Sequence, residues 1–300
     1  MNDAAVSGLL DDPWVMTALP LINILIMFGI GMTLRAGDFR KVMRYPGAVG
    51  VGMAGQYLLL PAIGFMIAAL FTNTPAYAVG FVLLAACPSA SSSNVLTYLS
   101  RGNVALSVTL TVVCSVVTLI SIPLLVNLAL HWRGAQMQTV HLPIMNTMGS
   151  LTMIVLLPIL AGMLARRYAP AFVSRVEKWV GLVSFLLLLG LIALITWAQI
   201  ELVQSTILRL GPAALVMCMA GLAGGWALAR MARLDAADST TIAIEVGVQN
   251  CALAIVVALS VLRMPQAALP AGIYGLLMYL PALAGVAITR RRRKTALSLS

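Results

Sequence analysis

Two stretches decide the fold: CPSASSSN at 87–94 and EVGVQN at 245–250. Each is a polar cluster in the middle of a long apolar run, one over 76–100 and the other over 237–262. Roughly 20 apolar residues span the hydrocarbon of a bilayer as a helix, so both runs read as membrane spans with interrupted middles. Pro88 removes a helix donor and breaks its span. Gly247 and Asn250 make local unwinding plausible in the other. Interrupted segments in matching positions of two halves point to the binding site of a secondary transporter.

The rest of the 300 residues agrees with a bilayer. The chain is 61% hydrophobic and 9% charged, with a mean hydropathy of +1.00. A soluble domain carries about 25% charged residues, so a soluble enzyme, a disordered chain and a disulfide scaffold are excluded. The predicted fold class is an all-α membrane protein of nine transmembrane helices, at 14–34, 46–71, 76–100, 104–130, 142–165, 179–199, 212–229, 237–262 and 266–289. Residues 1–300 read as one transporter domain. A four-span half (14–130) precedes a five-span half (142–289) and a basic tail (290–300), the pattern of an inverted repeat that has lost one helix. The first ten residues carry Asp3 and neither Lys nor Arg, which is no cleavable signal peptide; span one is expected to be an uncleaved anchor.

A net charge of +10 raises nucleic-acid binding, but the basic residues form short clusters between apolar runs, and no nucleic acid is expected. With the N-terminus outside, the inner loops hold Arg35, Arg40, Lys41, Arg44, Arg101, Arg166, Arg167, Arg175, Lys178, Arg230, Arg233, Arg290 to Arg293 and Lys294. Of the 19 basic residues only Arg133, Arg209 and Arg263 fall outside. That asymmetry satisfies the positive-inside rule and predicts a multi-pass protein of the inner (plasma) membrane with a cytoplasmic C-terminus. Cys87, Cys114, Cys218 and Cys251 sit in apolar runs without CxxC spacing and read as packing thiols. His131 and His141 are too few for a metal site.

Glu245 is the only acid deep within a predicted span. A bare charge there costs at least ~2.5–3.5 kcal/mol. A bound cation would offset that cost; so would a titratable proton, or hydrogen bonds to a neutral carboxyl. Gln249 follows one turn later on the same face, and unwinding would free the carbonyls of Val246 and Val248. This all-oxygen set suits a hard cation. The Ser91-Ser92-Ser93-Asn94 run after Pro88 would open a new helix, whose N-terminus favours anions. Ser107 and Thr111 share a face of span four, and Gln56 lies mid-span two; helix packing and an interhelical hydrogen bond account for these equally well. Gly221 and Gly225 read as close helix packing. No catalytic triad, metal cluster or phosphate loop is visible, so the chain is not expected to be an enzyme.

GFVLLAACPSASSSNVLTYLSRGNVAL at 80–106 and TIAIEVGVQNCALA at 241–254 resemble the bile acid:sodium symporter family. The likeness runs through nearly the whole chain. It implies an inverted repeat with a panel and a core, two broken core helices crossing near the midplane, and a nine-span version lacking the first helix. It implies two coupling sodium ions, one at Ser93, Asn94, Ser107, Thr111 and Glu245. The other would be held by Gln56, Glu245, the carbonyls of Val246 and Val248, and Gln249. A Met is more usual where Val248 stands, and Gly-Gly-Thr where Ser89-Ala90-Ser91 stands. An organic anion, bile-acid-like or a small carboxylate such as pantoate or a 2-oxo acid, would lie near Ser91, Ser92 and Asn250. The expectation is a sodium symporter working by alternating access; the rival readings are a proton-coupled carrier and a non-transporting ligand sensor.

Overall fold

The computed structural model describes residues 13–33, 46–132, 144–176 and 200–298, with 179, 182, 183, 186 and 190 singly. Apart from those five positions, the predicted sixth span, 179–199, and the basic residues of 34–45 lie outside this set. Eleven helices are named here: α1 Pro13–Thr33, α3 Pro75–Ala86, α4 Ser92–Leu99, α8 Ala236–Gly247, α10 Pro265–Leu277 and α11 Tyr279–Ser298, α2 Pro46–Ala69, α5 Val104–Trp132, α6 Met145–Tyr168 and α9 Cys251–Val261, and α7 Ile200–Met231. α1, α2, α3 and α10 begin on proline, whose missing N–H is an orphan at that position anyway.

Five helices are long and apolar enough to cross a membrane: Pro46–Ala69, Val104–Trp132, Met145–Tyr168, Thr206–Met231 and Pro265–Ala287. α3 with α4, and α8 with α9, are the two interrupted spans, broken at the predicted residues. Two boundaries differ from expectation. α7 begins at Ile200, so Arg209 and Pro212 lie within a helix rather than at a loop and a span start. The tail after 290 continues α11 to Ser298. Both differences have one cause. A hydropathy ruler stops at the first charges, whereas the backbone hydrogen-bond ladder runs on through good helix formers such as Leu and Arg.

α1 and α6 pack as a pair. A methyl group on Gly31 would lie 2.2 Å from the Ile159 carbonyl oxygen, and one on Gly162 would lie 2.3 Å from that of Phe28. Only a bare backbone permits this approach. α7 lies against α8 in the same manner, as the Gly221/Gly225 spacing predicts: methyls there would come within 3.0 Å of the Val246 and Ile242 carbonyls. α3 and α9 sit innermost, with Tyr77–Ala86 and Cys251–Leu259 buried throughout. Large apolar side chains such as Leu58, Leu70, Leu128 and Met145 face outward. An apolar exterior around an apolar core suits a lipid surface.

Candidate ion and substrate site at the helix crossover

α3 ends because Cys87 turns extended (φ −73°, ψ 157°) before Pro88. α8 ends at Val248 (φ −118°, ψ 99°). The two unwound segments meet side by side. Ala90 N–H donates to Val248 O at 3.0 Å and Asn250 N–H donates to Pro88 O at 2.9 Å, an antiparallel bridge between Ser89 and Gln249. Non-helical backbone at membrane depth is tolerated only where protein satisfies it, and each break here supplies the other's partners. Side chains take the remaining helix-end carbonyls. Ser121 donates to Ala86 O at 3.0 Å and Gln56 to Cys87 O at 2.7 Å. Tyr274 donates to Gly247 O at 2.8 Å and Cys218 to the same oxygen at 3.3 Å.

Glu245, in the last turn of α8, is 3% exposed and is the only buried acid among the described residues. Oε1 accepts from Ser93 and from Ser107, each at 2.5 Å. Oε2 accepts from Ser89, and from Thr111 at 3.1 Å. Ser107 Oγ also lies 2.8 Å from Asn94 Oδ1, Thr111 Oγ1 3.2 Å from Ser89 Oγ, and Thr111 Oγ1 3.1 Å from Ser107 O. These are seven oxygen–oxygen approaches, and four hydroxyls bring one hydrogen each. With Asn94 Oδ1 as the facing atom, three approaches have no hydrogen between them; turning that amide and protonating the carboxyl supply one each, which still leaves one bare. Crowded oxygens with too few hydrogens are the setting a hard cation stabilises.

Ser93, Asn94, Ser107, Thr111 and Glu245 thus meet. Ser89 joins them and sequence reasoning missed it. Its role follows from the register of the bridge, which no local pattern announces. Gln56 stands in a π-turn, Gly55–Leu59, in mid α2; such a bulge is frequent at functional sites. Gln56 Nε2 donates to Gln249 Oε1 at 3.0 Å, the interhelical hydrogen bond weighed above. Gln249 Nε2 faces Val246 O at 2.8 Å, Glu245 O at 3.2 Å and Gln56 Oε1 at 3.3 Å. The Val248 carbonyl spends one lone pair on the bridge. It stands less free than the freed-carbonyl expectation supposed.

The residues expected to meet an anion flank the bridge. Ser91 is exposed. Ser92 Oγ accepts from Tyr279 at 3.1 Å, a partner absent from the sequence reading. Asn250 caps α9, its Oδ1 accepting from Leu253 N–H at 3.1 Å. Its Nδ2 takes no partner among the described residues. α4 and α9 begin here, so two positive dipole ends adjoin the crossover.

The family model for the Sodium Bile acid symporter family matches residues 20–206. The chain is 33% identical over 261 residues to the probable sodium/metabolite cotransporter BASS2, chloroplastic, of rice, covering 87% of this chain and 61% of that protein. It is 30% identical to the uncharacterized sodium-dependent transporter YocS of Bacillus subtilis, covering 87% of this chain and 79% of that one. It is 28% identical to the rabbit ileal sodium/bile acid cotransporter, over 79% of this chain and 67% of that one. The chain spans 61–64% of the length of the chloroplast relatives it matches. These relatives carry the names of transporters, not of enzymes. With a helical architecture among the described residues and apolar helices of crossing length, this chain belongs to the sodium bile acid symporter family.

Proposed function

We propose that this chain is a sodium-coupled symporter that imports an organic anion by alternating access across the plasma membrane. One observation carries the reading: the oxygen cluster at Glu245, buried and short of hydrogens. The names of the relatives support sodium as the coupling ion. The first ion takes Ser93, Asn94, Ser107, Thr111 and Glu245, with Ser89 as a further neighbour. For the second, a rotation of the Gln249 side chain that gives up the bond from Gln56 Nε2 brings its oxygen beside the Glu245 and Val246 carbonyls and Gln56 Oε1. Those four oxygens, with Val248 O adjacent, form the second set. The anion lies at the starts of α4 and α9, near Ser91, Ser92 and Asn250. Nine spans in a panel and a core, related as an inverted repeat within one domain, with the N-terminus outside, complete the reading. The α1–α6 pair belongs to the panel and rocks against the helices of the crossover.

The energetics are adequate. Two sodium ions with a monoanion move one net charge, worth about 2.3 kcal/mol per 100 mV. A tenfold sodium gradient adds about 1.4 kcal/mol per ion. The total, about 5 kcal/mol, holds an anion at a ratio of roughly 10³–10⁴. Coupling requires each ligand to tighten the other by the same factor. A thermal-shift screen of organic anions (2-oxo acids, pantoate, bile acids) in sodium and in potassium tests this. A substrate should raise the melting temperature more in sodium. Anion stabilisation that follows pH and ignores sodium would favour the proton-coupled carrier. Binding that sodium strengthens, without flux in proteoliposomes, would favour a sensor.

A further inference from the structure

Below the crossover, three helices turn their polar residues toward one another. α4, α5 and α8 pack mutually. α8 carries Asp238, Thr241 and Glu245 at intervals of three and four residues, one face of a helix. α4 carries Ser93, Thr97 and, at its C-cap, Ser100 at intervals of four and three, and α5 carries Asn103 (its cap), Ser107 and Thr111 at intervals of four. α4 runs away from the crossover while α8 runs toward it, so the stripes lie alongside. Each joins Glu245 to the end where α8 begins. Asn103 N–H donates to Thr241 Oγ1 at 2.8 Å, and Asn103 Nδ2 donates to Asp238 Oδ1 at 2.8 Å. A methyl on Gly102 would lie 2.8 Å from Thr241 Oγ1 and 2.9 Å from Thr97 Cγ2, which brings those two side chains together. The seven steps from Asp238 to Glu245 cover about 10 Å of helix.

Two groups along this seam are unexplained by folding. Thr97 Oγ1 and Ser100 Oγ are buried and have no hydrogen-bond partner among the described residues. Their residues are 0% and 1% exposed. In an apolar setting an unmet hydroxyl is destabilising, and valine and alanine would fill the same space. Both stand on the face of α4 that leads to Ser93, between Glu245 and the half-buried Asp238. A monovalent cation leaving Glu245 needs oxygen atoms at each step, and this seam offers them.

We propose that the α4–α5–α8 seam is the route by which sodium exchanges between Glu245 and the side of the membrane where α8 begins. Thr97 and Ser100 are its waystation and the Asp238–Asn103 pair its mouth. The route lies inside the helix packing of the crossover and is separate from the path of the anion. It rests on the sodium reading above, and with the N-terminus outside it opens to the cytoplasm.

Thiol accessibility tests it on the full chain in detergent. Thr97→Cys and Ser100→Cys are exposed to methanethiosulfonate ethylammonium, a small cationic reagent, and the adduct is read by intact mass. Leu96→Cys, buried on the same helix beside the apolar core, is the reference, and the wild-type thiols set the baseline. Labelling at 97 and 100 is expected at least tenfold faster than at 96, and slowed by sodium but not potassium. Thr97→Val, which keeps the shape and removes the unmet hydroxyl, should melt at or above wild type. Slow labelling at both positions, in a protein that sodium stabilises, overturns the route alone. Fast labelling indifferent to sodium, in a protein whose melting is also indifferent to sodium, overturns the sodium reading and the route with it.

Discussion

Replacing Glu245 with glutamine separates a cation site from a hydrogen-bond network. The two side chains have nearly the same shape, so packing at this 3% exposed position is kept. The amide brings two N–H hydrogens to a cluster in which three oxygen–oxygen approaches lack one. As a structural network Glu245→Gln is therefore tolerated, with the sodium-free protein melting near or above wild type. As an ion site it fails. A unit charge about 4 Å from a sodium ion at an effective dielectric constant of about 20 contributes about 4 kcal/mol. Losing it weakens sodium binding by about 10³-fold. The assay is melting temperature against sodium concentration at constant ionic strength, with potassium as replacement. At 100 times its dissociation constant an ion stabilises the fold by about 2.7 kcal/mol; in Glu245→Gln the first ion's gain should vanish over the same range, leaving only that of the second, whose oxygens at this residue are main-chain. A sodium-dependent shift of wild-type size and midpoint in the variant would refute the assignment. Should Glu245→Gln not fold, Ser107→Ala replaces it. Removing a hydrogen bond to a charged group costs about 1.5–3 kcal/mol, so the sodium midpoint should rise at least tenfold.

Other expectations follow from single contacts. Gln249→Ala removes the side chain shared by Gln56, Val246 and Glu245; sodium activation of uptake should change from sigmoidal to hyperbolic while the Glu245 cluster still binds one ion. Gly31→Ala forces a methyl onto the Ile159 carbonyl, and overpacking of that kind costs about 1–3 kcal/mol, read as a lower melting temperature with or without sodium. Arg233, exposed and left-handed at φ 58° past the end of α7, carries a strain of about 1–2 kcal/mol. After the extra chain entropy of glycine in the unfolded state, Arg233→Gly should still stabilise by about 0.5–1 kcal/mol, and an unchanged or lower melting temperature would count against the strain.

Much of the site was legible because the bilayer makes polar residues conspicuous. Glu245, Gln249 and Gln56 stand out against apolar neighbours, and Pro88 marks one break outright. The likeness to a known family then grouped residues that spacing could not, since Ser93 and Ser107 lie 152 and 138 positions from Glu245. The start of α7 was misread for the converse reason, since hydropathy reports burial in lipid and not the end of a helix. Ser89 and Tyr279 escaped notice because a serine in a serine-rich run and a tyrosine at a kink carry no pattern of their own.

By itself the sequence determined that this is a membrane protein of interrupted helices with one acid deep within a span. Hydrocarbon leaves a chain few options: backbone groups must be satisfied internally, and a charge must be offset. Only the tertiary structure decided which oxygens meet. The bridge between Ser89 and Gln249 sets the register of the two breaks, and the close approach of α7 to α8 at Gly221 and Gly225 seats the helix that carries Glu245. Hydrogen bonds of 2.5–3.1 Å between residues more than a hundred positions apart depend on how whole helices pack, which no local pattern encodes.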